Sequence, residues 1–268
     1  MSNALIALAC RSNGRGVFIL TILFFCMGIH ASHAADSRKS GFDFMQPATQ
    51  ALQQDDTQNP AMLWVKDGEA LWQRREGSSA QSCASCHGEA RTSMRGVAAR
   101  YPAFSRALNR PINLQQRINE CRSTKQKADS LAAEHQTLLS LESYIALQSR
   151  HATITPSNEP QLTAARRRGE TLFRQRIGQI NLSCKDCHVD NAGKTLAGTP
   201  IPEAHPTGYP IYRLQWQGVG SLQRRLRNCM TGVRAEPYAF GSEELVSLEV
   251  YLASRAAGME IESPGVRP

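Results

Sequence analysis

The chain has 268 residues, 41% hydrophobic and 6% aromatic, with 31 Lys and Arg against 23 Asp and Glu for a net charge of +8. That length suits two domains of about 100 residues each. The basic excess is mild, and no nucleic-acid motif or aromatic-interleaved basic run accompanies it, which points to an anionic substrate or an acidic protein rather than to nucleic acid.

Arg11 and Arg15 precede an uncharged, mainly apolar run from Val17 to Ile29, 13 residues long. This fits a signal-peptide core and is short for a membrane span. Ser32-His33-Ala34 offers small residues for cleavage after Ala34. Residues 1–34 are therefore read as a signal peptide, the mature chain is expected in the periplasm, and no membrane span is expected in it. An uncleaved anchor is the alternative. Cys26 has flanks that suit lipoprotein processing poorly, and no twin-arginine pair precedes the apolar run. Cleavage removes two Arg, leaving 29 Lys and Arg against 23 acids, or +6.

Two units then follow one another. Gly68-Glu69-Ala70-Leu71-Trp72 lies 15 residues before Cys83, and Gly169-Glu170-Thr171-Leu172-Phe173 lies 15 before Cys184. Cys83-Ala84-Ser85-Cys86-His87 and Cys184-Lys185-Asp186-Cys187-His188 are both Cys-x-x-Cys-His, the attachment motif of haem c. The thiols add across two porphyrin vinyl groups, and the following imidazole becomes the proximal iron ligand. Tyr101-Pro102 and Tyr209-Pro210 each stand 20 residues before a further cysteine, Cys121 or Cys229. Each unit closes on a Leu-Glu-x-Tyr run, at Leu141 and at Leu248. The one sizeable length change lies between histidine and Tyr-Pro, 14 residues against 21, so Val189 to Gly208 is expected to be a loop.

The periodicity is helical. Leu114, Ile118 and Cys121, like Leu222, Leu226 and Cys229, recur at i, i+4, i+7. Helices are also expected from the Gly-Glu starts and over 130–149 and 242–256, the first and last of each unit crossing at Gly68/Tyr144 and Gly169/Tyr251. Little alternates with period two. The expected architecture is all-α, with two tandem cytochrome c-like haem domains related by internal duplication, at 35–155 and 156–268, joined by a Pro-rich linker at about 151–161. Two covalently bound haem c groups are expected, on Cys83, Cys86, Cys184 and Cys187, with His87 and His188 as axial ligands.

Cys121 and Cys229 remain. A disulfide between them is one reading, and burial as small hydrophobes is another. Their matched positions favour a third, in which each is the distal axial ligand of its own iron. Met94, Met230 and Met259 do not repeat, nor do His135, His151 and His205. Around Cys229 the chain is basic, with Arg224, Arg225, Arg227 and Arg234. Arg225 shares a helix face with Cys229 and could hold a sulfur oxyanion through its fork, or form part of a solvated face. Arg224 and Arg227 suit solvent or haem propionates better.

The run from Arg225 through Cys229 to Pro237, then Gly241-Ser-Glu-Glu, Leu248-Glu-Val-Tyr-Leu and Pro264-Gly-Val-Arg-Pro268, resembles SoxA. That family supplies the haem subunit of the SoxAX cytochromes of bacterial thiosulfate oxidation, and the resemblance covers nearly the whole mature chain. It implies an L-cysteine S-thiosulfotransferase that joins thiosulfate to a cysteine of a SoxYZ-like carrier and releases two electrons. It also implies a SoxX-like monohaem cytochrome c as heterodimer partner and a downstream cytochrome c as electron acceptor. Carried over by position, Cys229 is the catalytic cysteine, able to hold a persulfide, and Arg225 binds substrate. His188 and Cys229 ligate the active-site haem, and His87 and Cys121 the other.

Three alternatives stay open on the residues alone. A plain dihaem electron-transfer cytochrome would need no Cys229. A dihaem peroxidase-like enzyme would need an iron with a removable ligand. A cytochrome with a structural disulfide would be told apart by counting free thiols after haem removal.

Overall fold

The computed structural model describes residues 36–268. The signal peptide and cleavage site expected over 1–34 lie outside them. A turn-rich segment leads to α1 (Pro47–Gln54), α2 (Met62–Gln73), the single turn α3 (Cys83–His87) and α4 (Ala90–Ser93). A short hairpin, β1 (Ala103–Ser105) and β2 (Arg110–Ile112), precedes α5 (Leu114–Cys121) and α6 (Gln136–Leu147). The second half runs α7 (Thr163–Arg174), α8 (Cys184–His188), a hairpin of β3 (Thr195–Leu196) and β4 (Thr199–Pro200), then β5 (Ile211–Arg213) and β6 (Gly218–Gly220). It closes with α9 (Leu222–Gly232), α10 (Glu243–Arg255) and β7 (Gly265–Arg267).

Local sequence sets the helix starts. Ser82, Asn113, Ser183, Ser221 and Ser242 are N-caps whose side chains accept from the backbone N–H three residues on. Each cap satisfies a donor that the first turn leaves open. The Gly-Glu pairs do not start helices: α2 begins at Met62 and α7 at Thr163, placing Gly68 and Gly169 mid-helix. Their role is close approach. A Cβ on Gly68 would lie 2.1 Å from the Ser140 carbonyl oxygen and 2.7 Å from Tyr144 Cβ. On Gly169 it would lie 2.0 Å from the Ser247 oxygen and 2.7 Å from Tyr251 Cβ. The expected crossings of α2 with α6 and α7 with α10 are therefore present, and each holds an apolar core. Trp72, Leu141 and Tyr144 belong to one, and Phe173, Leu248 and Tyr251 to the other.

The all-α expectation holds for this framework, to which three small sheets are added among the described residues. In the largest, β5 lies between antiparallel β6 and parallel β7. Strands of two or three residues are too short to show alternation in sequence. Residues Arg38–Pro268 form one compact unit. Arg38 Nη1 donates to the Arg255 carbonyl at 2.6 Å, and Gln53 Oε1 accepts from Val266 N at 2.9 Å, so the first described residues pack on the end of the chain. The region expected as a linker is anchored too, with Ile154 buried beside Ala99, Ala256 and Ile261.

Where the two halves meet, Glu249 is only 6% exposed. Its Oε2 accepts from Asn113 Nδ2 at 3.0 Å and from Gln223 Nε2 at 2.9 Å. Burial outweighs both bonds and pushes its carboxyl from an ordinary 4.5 up to about 7. Glu142, bonded to Gln115, is likewise pushed up to about 8 by burial and by the charges of Glu134 and Glu249. A raised carboxyl pKa favours the folded state at low pH, and this contribution fades as pH rises through the folded value. For Glu249 the change is of order 2–3 kcal/mol. Glu249→Gln is expected to flatten the fall in melting temperature between about pH 5 and pH 8, measured by thermal denaturation. A fall as steep as in the wild type would contradict this.

Candidate functional site

Helices α3 and α8 each place two cysteines and a histidine on one turn beneath a capping box. In the first half, Cys83, Cys86, His87 and Cys121 line one cavity with Trp72 and Arg117. Trp72 Nε1 donates to the Gly88 carbonyl at 3.0 Å, and its ring lies 5.8 Å from that of His87. In the second half, His188 and Cys229 share a cavity with Arg213, Arg225 and Arg267. No disulfide joins Cys121 to Cys229, since each faces its own cavity and both are free thiols.

The second site is the more constrained. The Pro202 carbonyl lies 2.7 Å from His188 Nδ1. A carbonyl oxygen only accepts, so Nδ1 carries the hydrogen and Nε2 is left for a ligand. Cys229 is within hydrogen-bonding reach of His188. Burial pushes the Cys229 thiol up, but the bond to His188 and the positive charges of Arg225 and Arg213 outweigh it, and the net shift is downward. The Cys121 thiol moves the other way: burial raises it, and Glu120 opposes the relief from Arg117 and Lys125.

The arginines differ as sharply. Arg117 donates from Nη1 to Glu120 at 2.8 Å and from Nε to the Tyr101 hydroxyl at 3.1 Å. Among the described residues, the Arg225 side chain has no hydrogen-bond or ion-pair partner. Arg224 stacks on Trp216 and Arg227 on Phe240, so neither is a free fork.

Three residues at this site escape a sequence reading. Pro202 comes from the inserted segment, where no motif marks it. His205, also there, is buried with Nδ1 donating to the Lys39 carbonyl at 2.9 Å, and closes the wall of the cavity. Arg213 carries one available signal: it departs from the repeat, standing where the first half has Ser105.

The family of SoxA/TsdA cytochrome c domains matches residues 67–154 and 168–261. The chain is 37% identical over 237 residues to an "L-cysteine S-thiosulfotransferase subunit SoxA" from Pseudaminobacter salicylatoxidans, covering 88% of this chain and 82% of that one. A protein of the same description from Rhodovulum sulfidophilum is 31% identical, with 89% and 83% covered. The chain belongs to the SoxA family. Its fold superposes on the crystal structure of SoxXA from P. pantotrophus with a TM-score of 0.83 at 30% identity, covering 86% of this chain and 87% of that one.

As a SoxA-family cytochrome c, the chain carries haem c. The donor set fits that group, with paired thiols and an imidazole on one turn, Nε2 of His188 left open, and a further thiol opposite. No helix among the described residues is long and apolar enough to cross a membrane.

Proposed function

We propose that the chain is a periplasmic L-cysteine S-thiosulfotransferase subunit, with Cys229 as its catalytic cysteine and Arg225 as a substrate-binding group. The observation that carries this is the placing of Cys229 against His188 beside an unpartnered Arg225, in a chain whose relatives bear that activity in their names. Cys83 and Cys86 would hold one haem c with His87 and Cys121 as axial ligands, and Cys184 and Cys187 a second with His188 and Cys229. The paired sites form two tandem domains, 35–155 and 156–268, that arose by duplication; repetition of the helix crossings and the strand hairpins supports this. Residues 1–34 direct export.

Bound haem supplies a one-electron acceptor beside the sulfur chemistry. The residues do the rest. Arg225 holds the dianion thiosulfate with its sulfane sulfur toward Cys229. The Cys229 thiolate and the sulfane sulfur form a sulfur–sulfur bond, and two electrons leave one at a time toward a SoxX-like partner and a downstream cytochrome c. A thiolate of a SoxYZ-like carrier then attacks the sulfane sulfur, and Cys229 departs as thiolate. In total, thiosulfate and one carrier thiol give a carrier S-thiosulfonate, one proton and two electrons.

The test is the intact mass of the carrier after incubation with holoprotein, partner, thiosulfate and oxidised cytochrome c. The carrier is expected to gain one S–SO3 group. With Arg225→Gln, the KM for thiosulfate is expected to rise about tenfold or more, since a charge-assisted bond is lost. An unmodified carrier would overturn the reading.

A further inference from the structure

From the Tyr-Pro pair to the last cysteine the two halves correspond without a gap. Strands β1 and β2 match β5 and β6, and α5 matches α9. Within that frame several positions change charge, and among them only Arg213 lines the cavity of its half. Glu120 of the first half becomes Asn228, and Ser105 becomes Arg213. In the first half Glu120 takes Arg117, and the Ser105 hydroxyl donates to the same carboxylate at 3.2 Å. The cluster closes on itself. The second half has lost the acid and gained a base.

Arg213 is only 7% exposed. Its Nε donates to the Pro268 oxygen at 2.8 Å and its Nη2 to Gln215 Oε1 at 2.9 Å. Its guanidinium also lies 5.2 Å from the Trp216 ring centroid. These contacts fix the group's direction, and no Asp or Glu side chain pairs with it among the described residues. Arg267, on the neighbouring strand, differs: it pairs with Glu262 at 3.1 Å and donates to Gln53. Two guanidinium groups, Arg213 and Arg225, thus line one cavity with Cys229, and neither meets an Asp or Glu side chain among the described residues. Two like charges lining one cavity repel each other, and a bound dianion offsets that repulsion.

We propose that Arg213 is a second substrate-binding residue, holding the sulfonate end of thiosulfate together with Arg225 and so turning the sulfane sulfur toward Cys229. This rests on the thiosulfate-transfer reading above. One fork satisfies part of a sulfonate, and two forks from different elements fix its orientation.

The test uses the haem-loaded complex with its partner subunit and carrier. For Arg213→Gln, the KM for thiosulfate is expected to rise roughly 10- to 100-fold, with kcat changed far less and the haem spectrum unaltered. The inhibition constant of sulfate, an unreactive dianion, is expected to rise in parallel. Arg213→Lys keeps the charge without the fork and is expected to fall between. If the Gln variant does not fold, the Lys variant decides: a KM raised at least about threefold supports the assignment, and an unchanged KM overturns it. An altered haem spectrum with unchanged KM would overturn it too, placing Arg213 on a haem carboxylate. Cys229→Ala, run alongside, separates the two levels. If that variant is inactive while Arg213→Gln keeps its KM, only the role of Arg213 falls. If Cys229→Ala is active, the transfer reading falls with it.

Discussion

Replacing Cys229 with alanine is expected to abolish thiosulfate transfer, on the order of 10³-fold or more, while haem content stays at the wild-type level. Cys229 lies on α9, within hydrogen-bonding reach of His188, and Arg225 and Arg213 both stabilise its charged form. No other described thiol has this setting. Cys83 and Cys184 are buried enough to be pushed up to about 11, and Cys121 sits beside the carboxylate of Glu120. Alanine removes the sulfur but leaves the capped turn of α8 intact, so covalent attachment through Cys184 and Cys187 is not expected to suffer. The check is the initial rate of carrier modification, with haem quantified on the same sample. A rate within about tenfold of wild type would show that the sulfur of Cys229 is not in the reaction path.

Gly169→Ala is expected to be among the most destabilising single substitutions in the chain. The new Cβ would lie 2.0 Å from the Ser247 oxygen, and that atom belongs to backbone inside α10. A flexible side chain could rotate away; a helix carbonyl can yield only if α7 and α10 separate and their shared core opens. Overpacking of this kind costs about 3 kcal/mol or more, which lowers the melting temperature by roughly 6–12 °C in a chain of this size. Gly68→Ala is expected to do the same in the first half, where the Ser140 oxygen lies 2.1 Å away. Gly232→Ala is the control, since nothing stands within 4 Å of its added methyl. Thermal denaturation of the three variants checks the point. Equal melting temperatures would mean that the crossings are looser than the geometry shows.

The helical framework and the pairing of sites were legible because both rest on short-range patterns. One turn of helix fixes Cys-x-x-Cys-His, and the 3.6-residue period fixes the faces of Cys121 and Cys229. Gly68 and Gly169 could be seen as repeated features, yet their mid-helix position could not, since their requirement comes from a carbonyl more than seventy residues away in the chain. The sheets were hidden by length. Pro202 was hidden because its backbone oxygen, common to every residue type, makes the contact with His188. The packing of Arg38 and Lys39 onto Arg255 and His205 is likewise tertiary, with no local signal. Arg213 could have been found by asking where the two units differ rather than where they agree.

Low-temperature electron paramagnetic resonance of the oxidised holoprotein, wild type beside Cys229→Ala, tests the central assignment most directly. Low-spin signals of His/thiolate iron are expected in the wild type, with one of them lost in the variant. Signals of His/Met or His/His type, unchanged by the substitution, would take Cys229 off the iron and leave an electron-transfer cytochrome in place of the transferase.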